Sequence, residues 1–308
     1  MKEEQTDIVF RYIKTKSKNR KLVTYRSDTC DLRIKHEKIT NFINERFIPS
    51  IFAKGYVKNC SIYYNALAHM YNDYFVMLDI KDFFPHICHK QLAEKLFYEL
   101  NLIKKKQISK RECYFIVQQC SVNTRGLPLG FITSPVLSNI YMKDFDGIFY
   151  GQLKKLGLNN VIFTRYADDI TVSFKSDADE KPETRDHQII DIAAAILSRY
   201  GLQLNKRKTR SYNLHVSNHV RITGVNIVKL KDGRRHLTVG RSLKKRLFWE
   251  ALDCWKNENA EKKQHVKGLQ SFVLSIEKEG YEKCYSETMI GIVRSAGYAT
   301  LKELIDSL

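Results

Sequence analysis

The sequence lacks the features that define several common protein classes. Its seven cysteines are odd in number and form no CxxC pair, which argues against a disulfide framework and suits a reducing compartment. No run of 18 apolar residues is present, and the polar, charged N-terminus does not read as a signal peptide. There is no internal repeat or long low-complexity tract, and only five prolines punctuate the chain. We therefore expect a folded cytoplasmic protein without a membrane partner.

Acidic residues are too few to balance the basic ones. The chain of 308 residues has 52 Lys and Arg against 34 Asp and Glu, a net charge of +18. Such an excess repels itself unless a polyanion neutralises it, so nucleic acid is the first partner to consider. On charge alone, a lysine-coated soluble protein remains the alternative.

The hydrophobic pattern predicts a mixed core followed by a helical tail. Phe75-Val-Met-Leu-Asp79 is a short apolar run that ends in an acid, typical of a buried strand. The β-rich runs 161–163 and 170–174 flank a pair of acids, which predicts a hairpin. After Gly240 the apolar spacing is helical to the last residue. The order predicts an α+β fold with antiparallel strands, a helical appendage and a domain boundary near residue 240.

Three aspartates stand where these predicted strands end. Asp79 closes the first run, and Asp168 and Asp169 lie at the bend of the hairpin. Adjacent acids between apolar strands are costly unless a cation neutralises them. Two divalent ions about 4 Å apart can activate an attacking oxygen and stabilise a leaving one in phosphoryl transfer, and Mg²⁺ prefers oxygen ligands. The acids predict a site for two Mg²⁺ ions, with Mn²⁺ as a substitute; an exposed Asp-rich turn is the alternative.

Four ordered segments resemble the catalytic boxes of reverse transcriptases. The third contains the tetrad Tyr166-Ala-Asp-Asp169, which would be weak evidence alone, whereas four boxes in the expected order are strong. The boxes are Asp79-Ile-Lys-Asp-Phe-Phe84, residues 126–139, residues 164–174 and residues 201–209. The resemblance covers about residues 55–228.

The resemblance implies a right-hand polymerase. Fingers and a palm with an antiparallel, RRM-like sheet would be followed by an α-helical thumb. The implied limits are an N-terminal region with fingers at 1–75, a palm with interleaved fingers elements at 76–240 and a thumb at 241–308.

The resemblance also implies roles for individual residues. Asp79, Asp168 and Asp169 are the catalytic acids and metal ligands of a polymerase that uses deoxynucleoside triphosphates. Phe84 aligns with the steric gate that excludes a ribose 2′-hydroxyl, although a core phenylalanine is the alternative. Lys208 aligns with a nucleotide-site lysine that acts as general acid on the leaving pyrophosphate; otherwise it is a surface lysine.

The second box contains one departure from the family. Its usual PQG reads Pro128-Leu129-Gly130 here, so the polar contact of the glutamine is absent or supplied elsewhere. Gly130 is expected in the nucleotide site, and Arg165 and Ser134 are expected to shape the nucleotide or template pocket.

Two short elements resemble retron reverse transcriptases in particular. Asn65-Ala-Leu-Ala-His69 matches their NAxxH element, and Ile222-Thr-Gly224 stands where they have VTG. Retron enzymes copy part of their own structured non-coding RNA, of msr–msd type, into RNA-linked DNA (msDNA), typically in anti-phage defence with an effector protein. Asn65, His69, Thr223 and Gly224 are therefore expected to contact RNA or primer.

The helical tail begins with a cluster of cations. Lys244, Lys245 and Arg246 are expected to contact the RNA or the RNA–DNA hybrid, with a solvated basic face as the alternative. The tail is too short for both a thumb and a nuclease, so we expect template removal to depend on a cellular RNase H. The other functions left open are a generic intron-type or defence-associated reverse transcriptase, a catalytically silent RNA-binding scaffold and a maturase-like RNA-folding factor.

Overall fold

The computed structural model describes residues 7–14, 19–102, 107–175, 182–257 and 260–308. Within these ranges the strands are, in chain order, β1 (Ile8–Lys14), β2 (Asn19–Tyr25), β3 (Tyr74–Asp79), β4 (Asn159–Tyr166), β5 (Asp169–Lys175), β6 (Arg210–Asn213), β7 (His219–Ile222), β8 (Val225–Lys229) and β9 (Arg235–Thr238). The helices are α1 (Asp31–Asn44), α2 (Ile62–Ala68), α3 (Phe83–His86), α4 (His89–Leu100), α5 (Lys110–Gln119), α6 (Ser134–Lys155), α7 (Pro182–Arg199), α8 (Arg241–Asn257), α9 (Ala260–Ile276), α10 (Glu287–Ser295) and α11 (Leu301–Ser307).

The chain divides into two compact units. Unit 1 contains Met1–Cys60 and Asn72–Asn213, and unit 2 contains Ser61–Tyr71 and Leu214–Leu308. The short segment before residue 72 thus belongs with the C-terminal part of the chain, although it lies between two parts of unit 1 in sequence.

A four-stranded antiparallel sheet in the order β4-β5-β3-β6 forms the centre of unit 1. Tyr74, Val76 and Leu78 of β3 belong to the core that the sheet shares with α6 and α7. Because side chains alternate along a strand, Asp79 projects from the opposite face. The packing of helices on one face therefore leaves the acid on the other.

Helix α6 forms the longest buried part of that core. Pro135 occupies its first turn, where the missing N–H of proline costs nothing. Leu137, Tyr141, Phe145 and Phe149 follow at helical spacing, and all four are fully buried. Pro135 followed by an apolar stripe at helical spacing predicts this helix from the sequence, but the predicted stripe also includes Ile148, which is 40% exposed.

Unit 2 combines a small sheet with helices. Strands β7, β8 and β9 form an antiparallel sheet, and α2 packs against it. Buried and exposed side chains alternate along β7, whereas Leu237 and Thr238 of β9 are both buried. Asp232-Gly233, a dipeptide typical of tight hairpins, makes the turn before β9, with Gly233 at φ 83°. Helices α8, α9 and α11 contact one another, as the helical pattern after Gly240 predicts.

The structure confirms a mixed α+β fold with antiparallel sheets. Strand β3, the β4–β5 hairpin and the helical tail all form where the sequence predicts them. The assignment of fingers, palm and thumb, with their limits, stays a prediction. Among the described residues, no helix is long and apolar enough to cross a membrane.

Candidate active site

The three predicted acids lie at the same end of the central sheet of unit 1. Asp79 is the last residue of β3 and Asp169 the first of β5, and the two are directly paired in the strand register. The carbonyl oxygen of Asp168 accepts a hydrogen bond from the Ile80 amide at 3.0 Å. Antiparallel pairing therefore places acids from distant parts of the sequence side by side.

The turn that presents Asp168 is tight and strained. Tyr166 pairs with Asp169 across the hairpin, which leaves Ala167 and Asp168 as its two-residue bend. Ala167 has a φ of 57°, a left-handed conformation that costs roughly 1–2 kcal/mol for a residue with a Cβ atom. A Cβ at Gly55 would lie 2.7 Å from the Ala167 nitrogen, so the loop around Gly55 packs directly on the turn.

The acids share one local electrostatic field. Partial burial and the neighbouring charges of Asp168 and Asp79 together raise the pKa of Asp169 to about 6, against the opposing effect of Lys208. Asp79 and Asp169 line a cleft of about 340 Å³. Its other lining residues are Met77, Leu78, Ile170, Lys208, Arg210 and Tyr212. Of the charged side chains that line this cleft, Asp79 and Asp169 are acidic and Lys208 and Arg210 are basic.

The fourth box is tied to the first through Asp79. The Lys208 ammonium forms an ion pair with Oδ1 of Asp79, and Asn205 Nδ2 donates to Oδ2 at 3.1 Å. The Asn205 amide also donates to the Asp79 carbonyl at 2.7 Å, and its own carbonyl accepts from the Lys208 amide at 3.0 Å. Asp79 thus has both carboxylate oxygens engaged by one loop.

The donor set fits a divalent cation of the oxygen-binding type. Asp79, Asp168 and Asp169 supply carboxylate oxygens, which are the ligands that Mg²⁺ and Mn²⁺ prefer. In the described part of the chain, however, no three His, Cys, Asp or Glu side chains are grouped so that they could hold one ion jointly. A metal bound to Asp79 Oδ1 would replace Lys208 there, and the three carboxylates would have to reorient to hold it jointly.

The first and second boxes contact each other through their backbones. Phe84 is buried, 8% exposed, and its carbonyl accepts from the Leu127 amide at 2.9 Å. At Gly130, where φ is 109°, a Cβ atom would lie 2.4 Å from the Val23 carbonyl oxygen of β2. Gly130 is therefore required for the close approach of β2 to this loop, whatever its role toward a nucleotide.

Two residues expected to shape the nucleotide or template pocket are buried. Arg165 is fully buried, and its guanidinium binds the Asp146 carboxylate through Nε at 2.7 Å and Nη2 at 2.8 Å. Ser134 is 2% exposed and donates to the Pro128 carbonyl at 2.7 Å. Neighbouring elements cover both side chains, so either could shape a pocket only from beneath, and that role stays a prediction.

Unit 2 contains the residues predicted to contact RNA. Asn65 Nδ2 donates to Oγ1 of Thr223 at 3.1 Å, so the NAxxH element and the ITG element meet. His69 is fully buried, and Gly224 has a φ of 95° at the turn between β7 and β8. These contacts bring together two of the elements on which the retron resemblance rests.

The three cations at the start of α8 have different environments. Lys244 is buried, and its ammonium lies 3.1 Å from the Glu277 carboxylate and 3.3 Å from Thr238 Oγ1. Lys245 and Arg246 are exposed, and Arg246 pairs with Glu250 at 3.2 Å. A direct RNA contact from Lys244 would require its buried pair to break.

Two residues near the acids were not predicted from the sequence. Asn205 orients Asp79, as described above. Partial burial and, to a lesser extent, the nearby charge of Asp168 raise the pKa of the Tyr56 hydroxyl. Asn205 lies inside the fourth box and could have been considered there, whereas Tyr56 precedes the first box and had no distinguishing signal.

Known proteins resemble this chain over most of its length. The family model described as reverse transcriptase (RNA-dependent DNA polymerase) matches residues 14–227. The retron Ec86 reverse transcriptase of Escherichia coli is 26% identical over 282 residues, which are 89% of this chain and 79% of that protein. The retron Ec73 reverse transcriptase of Escherichia coli is 36% identical over 124 residues, only 39% of either chain.

The similarity to a solved structure is weaker than the similarity to these relatives. Apo telomerase from Candida tropicalis, truncated from its C-terminal domain, has a TM-score of 0.49 and 14% identity, covering 73% of this chain and 54% of that one. The assignment thus depends on the family match, which spans all four boxes, and on the retron relatives. The chain belongs to the reverse transcriptase (RNA-dependent DNA polymerase) family and is a retron-type member of it.

Proposed function

We propose that this protein copies part of its own structured non-coding RNA, of msr–msd type, into RNA-linked DNA and does so in anti-phage defence. The observation that supports the chemistry best is the direct pairing of Asp79 with Asp169, with Asp168 beside them. The retron relatives and the contact between Asn65 and Thr223 support the narrower assignment.

Asp79, Asp168 and Asp169 would hold two Mg²⁺ ions, for which Mn²⁺ can substitute. When bound, such ions lower the barrier to phosphoryl transfer by stabilising charge on the attacking and leaving oxygens. Asn205 would keep one oxygen of Asp79 oriented while Lys208 leaves the other. Once released, Lys208 would protonate the departing pyrophosphate as a general acid, an effect typically worth about 10²–10⁴-fold in rate.

Other residues would select the nucleotide and bind the RNA. The ring of Phe84 would exclude a ribose 2′-hydroxyl and so favour deoxynucleoside triphosphates, with Gly130 holding the adjacent loop in place. In unit 2, Asn65, His69, Thr223 and Gly224 would form or support an RNA-contacting element. The exposed Lys245 and Arg246 would contact phosphates of the RNA or of the RNA–DNA hybrid, with Lys244 supporting them from the buried side.

The test uses the purified protein with the structured RNA encoded beside its gene and the four deoxynucleoside triphosphates. We expect short DNA covalently attached to that RNA, with synthesis dependent on Mg²⁺. Asp168→Asn should lower the rate by about a thousandfold, since a metal contributes several kcal/mol and each 1.4 kcal/mol is a factor of ten. RNA affinity should stay within about twofold, because phosphate contacts made elsewhere supply most of the binding.

The same assay separates the alternatives. Extension only from an added 3′-hydroxyl primer would indicate a generic intron-type or defence-associated reverse transcriptase. RNA binding without any synthesis by the parent protein would indicate a scaffold. RNA left attached along the DNA product, and removed on addition of RNase H, would support the dependence on a cellular nuclease. Co-purification from infected cells would identify an effector protein.

A further inference from the structure

A buried polar network lies directly behind the catalytic turn. It consists of Arg165, Asp146 and Asn139, which are 0%, 0% and 2% exposed. Besides its two bonds to Asp146, the Arg165 guanidinium donates through Nη1 to Asn139 Oδ1 at 3.2 Å and to the Ala167 carbonyl at 3.3 Å. Asn139 Nδ2 in turn donates to the Gly55 carbonyl at 3.0 Å. Every one of these groups is inaccessible to substrate.

Stability alone does not explain such a network. Removing an ion pair from water costs several kcal/mol per ion in general, and apolar replacements of similar volume are often equally stable. A buried arginine that binds a carboxylate through two nitrogens along one edge of its guanidinium is, in contrast, a rigid and directional support. The network is therefore better suited to orienting neighbouring groups than to stabilising the fold.

The network ends on the turn that presents the acids. The Ala167 carbonyl that Arg165 binds belongs to the residue before Asp168, and Ala167 has the strained φ of 57°. Gly55, whose carbonyl accepts from Asn139, also packs closely on the Ala167 nitrogen. The backbone of Arg165 is also fixed, because its amide donates to the Phe52 carbonyl at 2.8 Å and its carbonyl accepts from the Lys54 amide at 2.7 Å.

We infer that Arg165, Asp146 and Asn139 are positioning residues that hold the strained turn so that Asp168 and Asp169 face a common point. Strained backbone persists only where its surroundings fix it, and the network supplies that constraint. Outer-shell groups that orient metal ligands typically change metal affinity or activity by about 10–100-fold. This inference rests on the proposed metal-dependent polymerase function, but it makes a prediction about metal binding that needs no catalysis.

The experiment compares Arg165→Met/Asp146→Leu with the wild-type protein. The double variant removes both buried charges together, so neither is left uncompensated. Mn²⁺ affinity is measured by titration calorimetry without nucleotide, and melting temperature and affinity for an RNA–DNA hybrid are measured on the same preparations. We expect Mn²⁺ binding to weaken by about tenfold or more, with a melting temperature within about 5 °C and hybrid affinity within about twofold.

Leu153→Ala is the matched control. Leu153 lies on the same helix as Asp146 and is fully buried, but it belongs to the apolar core. This variant should melt at a lower temperature and still bind Mn²⁺ like the wild type, which separates positioning from stability. Arg165→Lys should be intermediate, because one ammonium cannot bind Asp146 through two nitrogens and also reach Asn139 and Ala167.

Unchanged Mn²⁺ affinity in a folded double variant would overturn the inference. If the double variant does not fold, Asn139→Ala provides the test, since it keeps the ion pair and removes the hydrogen bonds of Asn139 to Gly55 and Arg165. A Mn²⁺ affinity of Asn139→Ala equal to that of the wild type would also overturn the inference. A wild-type protein that binds Mn²⁺ but makes no DNA would instead refute the proposed function and leave the comparison of affinities valid.

Discussion

Asn65 donates a hydrogen bond from Nδ2 to Oγ1 of Thr223 at 3.1 Å, across 158 positions of sequence. Asn65 is almost completely buried, and Thr223 has a φ of 44°, an unfavourable conformation for a β-branched residue. The two elements that distinguish the retron type in this sequence are therefore parts of one local structure in unit 2. Each supports the other, whatever RNA contact they make.

A double-mutant cycle tests this coupling. Asn65→Ala removes the donor of this bond, and Thr223→Val removes its acceptor and leaves the buried Asn65 amide without that partner. Each variant should reduce the free energy of unfolding by about 1–3 kcal/mol. The double variant should lose less than the sum, with a coupling of about 1 kcal/mol. Thr223→Ser retains the hydroxyl and is the control. Strictly additive losses in urea unfolding would show that the contact contributes nothing.

Replacing Gly130 should destabilise the protein far more than replacing a glycine in a helix. Gly130→Ala places a Cβ atom 2.4 Å from a backbone oxygen at a positive φ, and should cost about 2–4 kcal/mol of stability. Gly151→Ala is the matched substitution on α6, where the new methyl group meets nothing within 4 Å. It should stabilise the protein by about 0.5–1 kcal/mol. Equal melting temperatures for the two variants would contradict the account of Gly130.

Ionisation of Asp169 should destabilise the metal-free protein. Because its pKa is raised from 3.8 to about 6, the folded state keeps a proton that the unfolded chain has already released as the pH rises from 4. Stability therefore falls between about pH 4 and pH 6, and the loss persists above that range. Relative to the wild type in EDTA, Asp169→Asn should show equal melting temperature near pH 4 and a higher one at pH 7.

Added Mg²⁺ provides the control for that comparison. It should raise the melting temperature of the wild type at pH 7 more than that of Asp169→Asn, because a cation offsets the charge repulsion that the variant lacks. If the variant's advantage in EDTA does not change with pH, the raised pKa of Asp169 is refuted.

Phe84 should discriminate against ribonucleotides. Phe84→Val would open space beneath the sugar and increase the ratio of ribonucleotide to deoxynucleotide incorporation by about tenfold or more, measured as relative kcat/KM. Phe83→Val is the matched control, since Phe83 is its neighbour and is also buried, at 2% exposed. Both variants should lose stability, but only the first should accept ribonucleotides. The same ratio in both would show that Phe84 is simply a core residue.

The sequence was sufficient for the elements that local pattern controls. Apolar runs predicted β3 and the β4–β5 hairpin, and adjacent acids within those runs predicted the end of the sheet where Asp79 and Asp169 pair. Helical spacing after Pro135 predicted α6 and most of its buried face.

Those local patterns could not predict contacts between segments that are distant in the sequence. Arg165 alternates like an ordinary strand residue, and only the packing of α6 and the loop at 52–55 buries it. Lys244 likewise is one lysine of a basic cluster in the sequence, and only the fold places Glu277 beside it. The spacing of residues along one helix or strand reveals neither the ion-pair partner of a charged side chain nor whether that side chain is buried.

The central claim is that Asp79, Asp168 and Asp169 jointly bind divalent ions, and the number of bound ions tests it most directly. Mn²⁺ would be counted by electron paramagnetic resonance on the protein with an RNA–DNA hybrid and a non-hydrolysable deoxynucleotide analogue. The account predicts two tightly bound ions in the wild type, and the loss of at least one when any of the three aspartates is replaced by asparagine. Two tightly bound ions in all three variants would contradict it.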